Sequence, residues 1–154
     1  MAEDAENAPK RGINEIEAIM LLVIAVLLRV LLERLPSVEP IIPIAVYAGL
    51  TYGASAGTII GLLGYPISNF FMQGGVGLWS FWQAIGGGIA GNLSGGKEPT
   101  MGNMLTYTFI GTIIFELAMN ITSGAFLYWP YSYVHIATNL LFAAIIGAFL
   151  PKEK

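Results

Sequence analysis

The apolar positions of this chain come in long blocks, interrupted by proline, glycine and a few short polar runs. Residues 40 to 96, 57 in succession, carry no charged side chain. From Pro99 to Pro151 the only acidic or basic residue is Glu116, joined by the single histidine, His135. A helix that crosses a bilayer needs about 20 apolar residues, with a lower limit near 17. The blocks predict six helices. Asn14 caps the first, which runs from Glu15 to about Leu35 and stops at Pro36. Pro40 and Pro43 open the second, where proline is tolerated, and Ile44 to Tyr52 continues it. Residues 53 to 57 (Gly-Ala-Ser-Ala-Gly) predict a tight turn, and Thr58 to Phe71 a third helix with Pro66 as a kink point. Gln73-Gly74-Gly75 is a loop, Leu78 to Asn92 the fourth helix, and residues 94 to 99 the most hydrophilic internal loop. Met101 to Ile121 is the fifth helix. A proline-containing aromatic loop, 123 to 133, leads to the sixth, Val134 to Leu150, which Pro151 ends.

Composition turns this pattern into a fold expectation. Hydrophobic residues make up 55% and charged residues 11%, against about 25% charged in ordinary soluble domains. A water-soluble domain must solvate its outer faces. In hydrocarbon, a charge at a helix centre costs roughly 3 kcal/mol or more. The expectation is an all-α, polytopic membrane protein: one six-transmembrane-helix bundle over residues 14–151, behind a disordered cytoplasmic tail, 1–13. That tail is polar and acidic, unlike a secretory signal. Its acids Glu3, Asp4 and Glu6 outnumber Lys10 and Arg11 and contribute to the net charge of −3. With no cysteine there are no disulfides or thiolate metal sites, and no basic stretch interleaved with aromatics points to nucleic acid.

Basic residues mark the cytoplasmic side. Lys10 and Arg11 precede the first helix, Lys97 lies between the fourth and fifth, and Lys152 and Lys154 follow the last. Six crossings put all of these on one side, with both termini inside. Arg29 and Arg34 dissent. Glu33 and Glu39 are their nearby partners, and Arg29 can also reach outward by snorkelling.

In this orientation the polar and aromatic side chains gather at the outer end. Asn69 and Gln73 end the third helix. Trp79, Trp82 and Gln83 share a face at the start of the fourth. Glu116 and Asn120 are four apart near the end of the fifth, and His135 and Asn139 four apart at the start of the sixth. These seven residues (Trp79, Trp82, Gln83, Glu116, Asn120, His135 and Asn139) are the candidate substrate-binding set. An aromatic cavity with a few fixed hydrogen-bonding groups is the usual form of a small-molecule site. Tyr128, Trp129, Tyr131 and Tyr133 fit either a cavity wall or an interfacial belt. An acid inside a spanning helix marks a functional site or a paired charge. Glu116 thus either pairs with Arg29, binds a cationic or hydrogen-donating ligand group, or carries a proton at a raised pKa.

Glycines at 49 and 53, 57 and 61, and 87 and 91 are four apart, a spacing that lets helix backbones approach closely. They serve packing within the bundle or docking of another membrane subunit. One histidine and no cysteine leave a metal site without ligands. No serine–histidine–acid set, aspartate pair or phosphate-binding glycine loop is present, so the chain is read as neither an enzyme nor an ATP binder, with no cofactor.

Six short helices, inside termini and an outward polar pocket resemble the S components of energy-coupling factor (ECF) transporters. These are small prokaryotic plasma-membrane subunits that capture vitamins and other micronutrients. Residues 40 to 61, from Pro40-Ile-Ile-Pro through Tyr52-Gly53-Ala54 to Gly61, are similar to their second and third helices. Trp79 to Gly91 resembles the fourth, Phe115-Glu116-Leu117-Ala118-Met119-Asn120 the fifth, and His135 to Asn139 the start of the sixth. The resemblance implies a subunit that binds a small molecule from outside and works with a transmembrane coupling subunit and an ATPase pair. It puts the binding role on the seven residues named above. The family's alanine pair, four apart in the first helix, is missing; Ala18 and Ala25 are the nearest substitute. Two other readings are a structural membrane protein of the cell-shape (MreD) type, which needs no outer pocket, and a self-sufficient proton-linked carrier.

Overall fold

The computed structural model describes residues 15–120, 127 and 129–150. The tail 1–13, the Asn14 cap, Tyr128 and the basic C-terminal residues lie outside that range. Six helices and no strand are present among the described residues: α1 Glu15–Leu31, α2 Ile41–Tyr52, α3 Ala54–Phe71, α4 Leu78–Ser94, α5 Met101–Asn120 and α6 Tyr131–Gly147. The all-α class and the six-helix order agree with the hydropathy blocks. The ends shift. α1 stops at Leu31, and residues 32 to 38 continue as hydrogen-bonded turns, such as Leu35 N–H to the Leu32 carbonyl. α6 starts at Tyr131, three residues before the expected Val134, because Pro130 supplies its N-cap position. The expected turn at 53 to 57 shrinks to one residue. Gly53 takes φ 107°, and α3 starts directly after it. A side chain there would be strained, so glycine is required by the backbone. Pro66 sits inside a continuous α3.

α2 is the centre of the bundle. It touches all five other helices, and nine of its twelve residues are buried. Ile41, Ile42, Ala45 and Val46 pack with Ile60, Tyr65, Met104 and Phe115 into the core. The flanks of the bundle are apolar on the outside as well. Ile16, Ile19, Val23, Leu27 and Leu31 stand exposed along one side of α1, as do Leu141 and Ile145 on α6.

No helix among the described residues is both long and apolar enough to cross a membrane. The spanning expected of each segment therefore does not follow from the helices taken one at a time.

The glycine pairs are used inside the bundle. A methyl group on Gly61 of α3 would overlap the backbone of Gly87 and Gly88 on α4, and one on Gly57 would overlap the carbonyl of Gly91. A methyl on Gly49 of α2 would meet Ser94 and Gly91. The two helices α3 and α4 therefore touch backbone to backbone, with no side chain between them. Backbone atoms cannot rotate away as a side-chain tip can. Gly61→Ala is expected to lower stability by about 1–3 kcal/mol, the cost of overpacking a filled core, in denaturant unfolding of the purified protein. Gly74→Ala, which meets nothing within 4 Å, should stay within about 0.5 kcal/mol of wild type. Equal stability of the two variants would contradict the seam.

Candidate functional site

Polar side chains from five helices and one loop meet at the end of the bundle formed by the C-termini of α1, α3 and α5 and the N-termini of α2, α4 and α6. At their centre is His135, 3% exposed. Its Nδ1 lies 2.6 Å from Glu116 Oε1 on α5, and its Nε2 lies 2.8 Å from Glu39 Oε1 in the α1–α2 connection. A neutral imidazole has one donor and one acceptor nitrogen; only the imidazolium donates from both. With carboxylate oxygens on both sides, the arrangement is complete when the ring carries two protons.

The two acids are held from other directions too. Glu39 accepts from the Tyr65 hydroxyl and from the first free N–H of α2, Ile41, at 3.3 Å. An acid at that position also complements the helix dipole. Arg29 Nε lies 3.9 Å from Glu39 Oε2. Glu116 accepts from the Ser132 hydroxyl and from Asn120 Nδ2 at 3.3 Å. Burial pushes the Glu39 carboxyl up, but the hydrogen bond and charge of His135, the charge of Arg29 and the Tyr65 hydroxyl outweigh it and hold the pKa below its ordinary value.

Arg29 is buried, with its guanidinium 5.0 Å above the Tyr65 ring centroid. Nη1 donates to Ser68 Oγ and Asn69 Oδ1, both at 2.6 Å. Asn69 Nδ2 donates in turn to Gln83 Oε1 at 2.7 Å and Ser80 Oγ at 2.8 Å. Tyr65, Ser68 and Asn69 are at i, i+3 and i+4, so one face of α3 carries them all. Aromatic contacts complete the wall: Phe115 stacks on Tyr65 at 5.0 Å and meets the His135 ring edge-on at 5.0 Å.

These groups border a cavity of about 420 Å³, within the range of small-molecule sites. Four of the seven expected residues, Gln83, Glu116, Asn120 and His135, line it. Three do not. Trp79 is 45% exposed and folds over Gly77. Trp82 packs edge-on to Phe81, and its buried Nε1 has no hydrogen-bond partner among the described residues. Asn139 is fully buried below the cavity, where its Nδ2 donates to Thr112 Oγ1 at 3.0 Å. Of the expected fates of Arg29, pairing with Glu39 is found, at 3.9 Å, and the other two are not. It neither reaches outward nor pairs with Glu116; it turns into the bundle, because Glu39, Ser68 and Asn69 already supply acceptors there.

Tyr65 and Ser132 were not anticipated as site residues, and Glu39 only as a partner for a nearby arginine. The Tyr65-x-x-Ser68-Asn69 spacing is a legible signal for one polar face. Nothing local distinguishes Ser132 from any other serine near a helix start. No three-residue group of histidine, cysteine, aspartate or glutamate with metal-binding geometry occurs among the described residues. No protein family, curated protein or solved structure matches the chain.

Removing one partner of a buried ionic network costs about 3–5 kcal/mol. Glu39→Gln should therefore destabilise the protein by about 3 kcal/mol at neutral pH. A depressed folded-state pKa means that the stability contributed by Glu39 is present above its ordinary value and lost as pH falls below it. Unfolding midpoints followed downward from pH 5 should fall more steeply in wild type than in Glu39→Gln. Parallel acid slopes would refute the role given to this carboxylate.

Proposed function

We propose that this chain is a six-helix membrane protein that captures a small organic solute in a pocket at the outer end of its bundle. The observation that carries the reading is the cavity itself: about 420 Å³, bordered by Arg29, Glu39, Gln83, Glu116, Asn120 and His135, on a bundle whose flanks expose Ile, Leu, Val and Phe. A wet flank would be charged; an apolar flank is stable against acyl chains.

Short helices fit a bilayer in two ways. At 1.5 Å per residue, the 20 residues of α5 reach about 30 Å, the thickness of a hydrocarbon core. α2, at twelve residues, reaches only about 18 Å, but it is enclosed by protein and needs no lipid-facing length. The 17-residue α1, α4 and α6 would sit in a locally thinned bilayer at a cost of fractions of a kcal/mol per Å.

The positions of the basic residues favour inside termini and an outward cavity; the resemblance to ECF S components adds a prokaryotic plasma membrane. The chain lacks a nucleotide-binding loop, so energised release would fall to separate subunits: a transmembrane coupling protein and an ATPase pair, as in the ECF transporters it resembles.

The protein should fractionate with membranes and need detergent for extraction. The sequence holds no cysteine, so single introduced cysteines report topology cleanly. Ser37→Cys should react with an impermeant maleimide from outside intact cells, and Gly96→Cys only after lysis; the reverse pattern would turn the bundle over. Native mass spectrometry of the purified protein should find a co-purifying organic solute. Gln83→Ala and Asn120→Ala should each weaken its binding by about 1 kcal/mol, while Leu141→Ala on the outer flank leaves it unchanged. Equal retention in all variants would remove the cavity from the function.

A further inference from the structure

The sequence favours a cationic ligand, because Glu116 is the acid in an apolar block. The hydrogen bonds reverse that preference. Both oxygens of Glu116 are occupied, Oε1 by His135 and Oε2 by Ser132 and Asn120. Both oxygens of Glu39 are occupied as well, by Tyr65, His135 and the Ile41 N–H. Two carboxylates, one guanidinium and a doubly protonated imidazole sum to zero charge. An ammonium entering here would find no unbalanced negative charge on these two acids, each of which already accepts three hydrogen bonds; Glu33, the third acid on the cavity wall, accepts from the Gln73 N–H through Oε1.

The opposite wall has spare donors, and their direction is fixed by a chain of amides. Arg29 can only donate. It gives Nη1 hydrogens to Asn69 Oδ1, which turns Asn69 Nδ2 toward Gln83. Gln83 must then present Oε1 to Asn69, and its Nε2 is left over. Arg29 Nη2 is left over in the same way: neither nitrogen has a hydrogen-bond partner among the described residues. Arg29 and Gln83 both line the cavity. Both nitrogens open on the cavity, and a ligand acceptor placed there completes their hydrogen bonds. Phe115 and Tyr131 also line the cavity and supply flat apolar surface.

We infer that the cavity selects a solute with a hydrogen-bond-accepting end, a carboxylate or carboxamide carried on a planar ring, received by the free N–H groups of Arg29 and Gln83 rather than by Glu116. This rests on the capture reading and names its ligand chemistry.

Three probes of one shape separate the possibilities: benzoate, benzamide and benzylamine, at matched millimolar concentration, with the full chain in detergent and its unfolding temperature as readout. Benzoate and benzamide should raise that temperature, and benzylamine should do no more than ammonium chloride. Gln83→Glu keeps the oxygen that faces Asn69 and replaces the spare donor with an acceptor. In that variant the apparent affinity for benzoate should fall at least tenfold and benzylamine should become the best of the three. Benzylamine stabilising the wild type as well as benzoate does, an unchanged order in Gln83→Glu, or no stabilisation by any probe would each overturn the donor assignment. A co-purified solute that Asn120→Ala fails to retain would leave the capture reading standing even then.

Discussion

The bonded triad of Glu39, His135 and Glu116 organises this molecule. Its three members come from the α1–α2 connection, α6 and α5. Tyr65 on α3 donates to the Glu39 oxygen that faces His135, and Arg29 on α1 pairs with its other oxygen at 3.9 Å. Five parts of the chain are thus tied at one point, where charges would otherwise be costly to bury. Each carboxylate is stable there because the imidazole between them gives one N–H to each, and the imidazole is stable because it faces two acids. Truncating any member leaves a buried charge without its counterpart. The cavity lies beside this cluster, so its shape and its stability have one origin.

The same cluster decides which polar groups are free to act. The acids spend their lone pairs on neighbours, and Arg29 spends half of its fork on Ser68 and Asn69. What reaches the cavity is the remainder. Counting residues by type would describe an acidic pocket; the free nitrogens of Arg29 and Gln83 add donors to it.

Hydropathy blocks made six helices legible because each element is bounded by proline, glycine or a polar run. The ends were less legible. Whether a turn after Leu31 continues as α-helix depends on what the connection must reach, and Glu39 has to arrive at His135. Spacing also placed Glu116 with Asn120, but not their partner: that His135 faces Glu116 follows from α5 and α6 lying side by side. The tryptophans misled for a physical reason. Trp79, Trp82 and Gln83 share a helix face by spacing, yet a face is wider than a cavity wall. Asn69 fixes Gln83 at the wall, and the indoles fall to either side. Glu39 as a partner of Arg29 was legible from their nearness in sequence; Ser68 and Asn69 were not, because they wait on another helix.

The central position of α2 bears on how such a bundle could be made. A twelve-residue apolar segment is too short to partition stably into a bilayer alone, and every side of it is claimed by another helix. Through the one-residue joint at Gly53 it runs straight into the longer α3. Under the membrane reading proposed above, the two enter lipid together as a hairpin, with the longer helix of the pair holding the shorter until α4, α5 and α6 enclose it. The glycine at that joint thus governs the order of assembly as much as the finished shape.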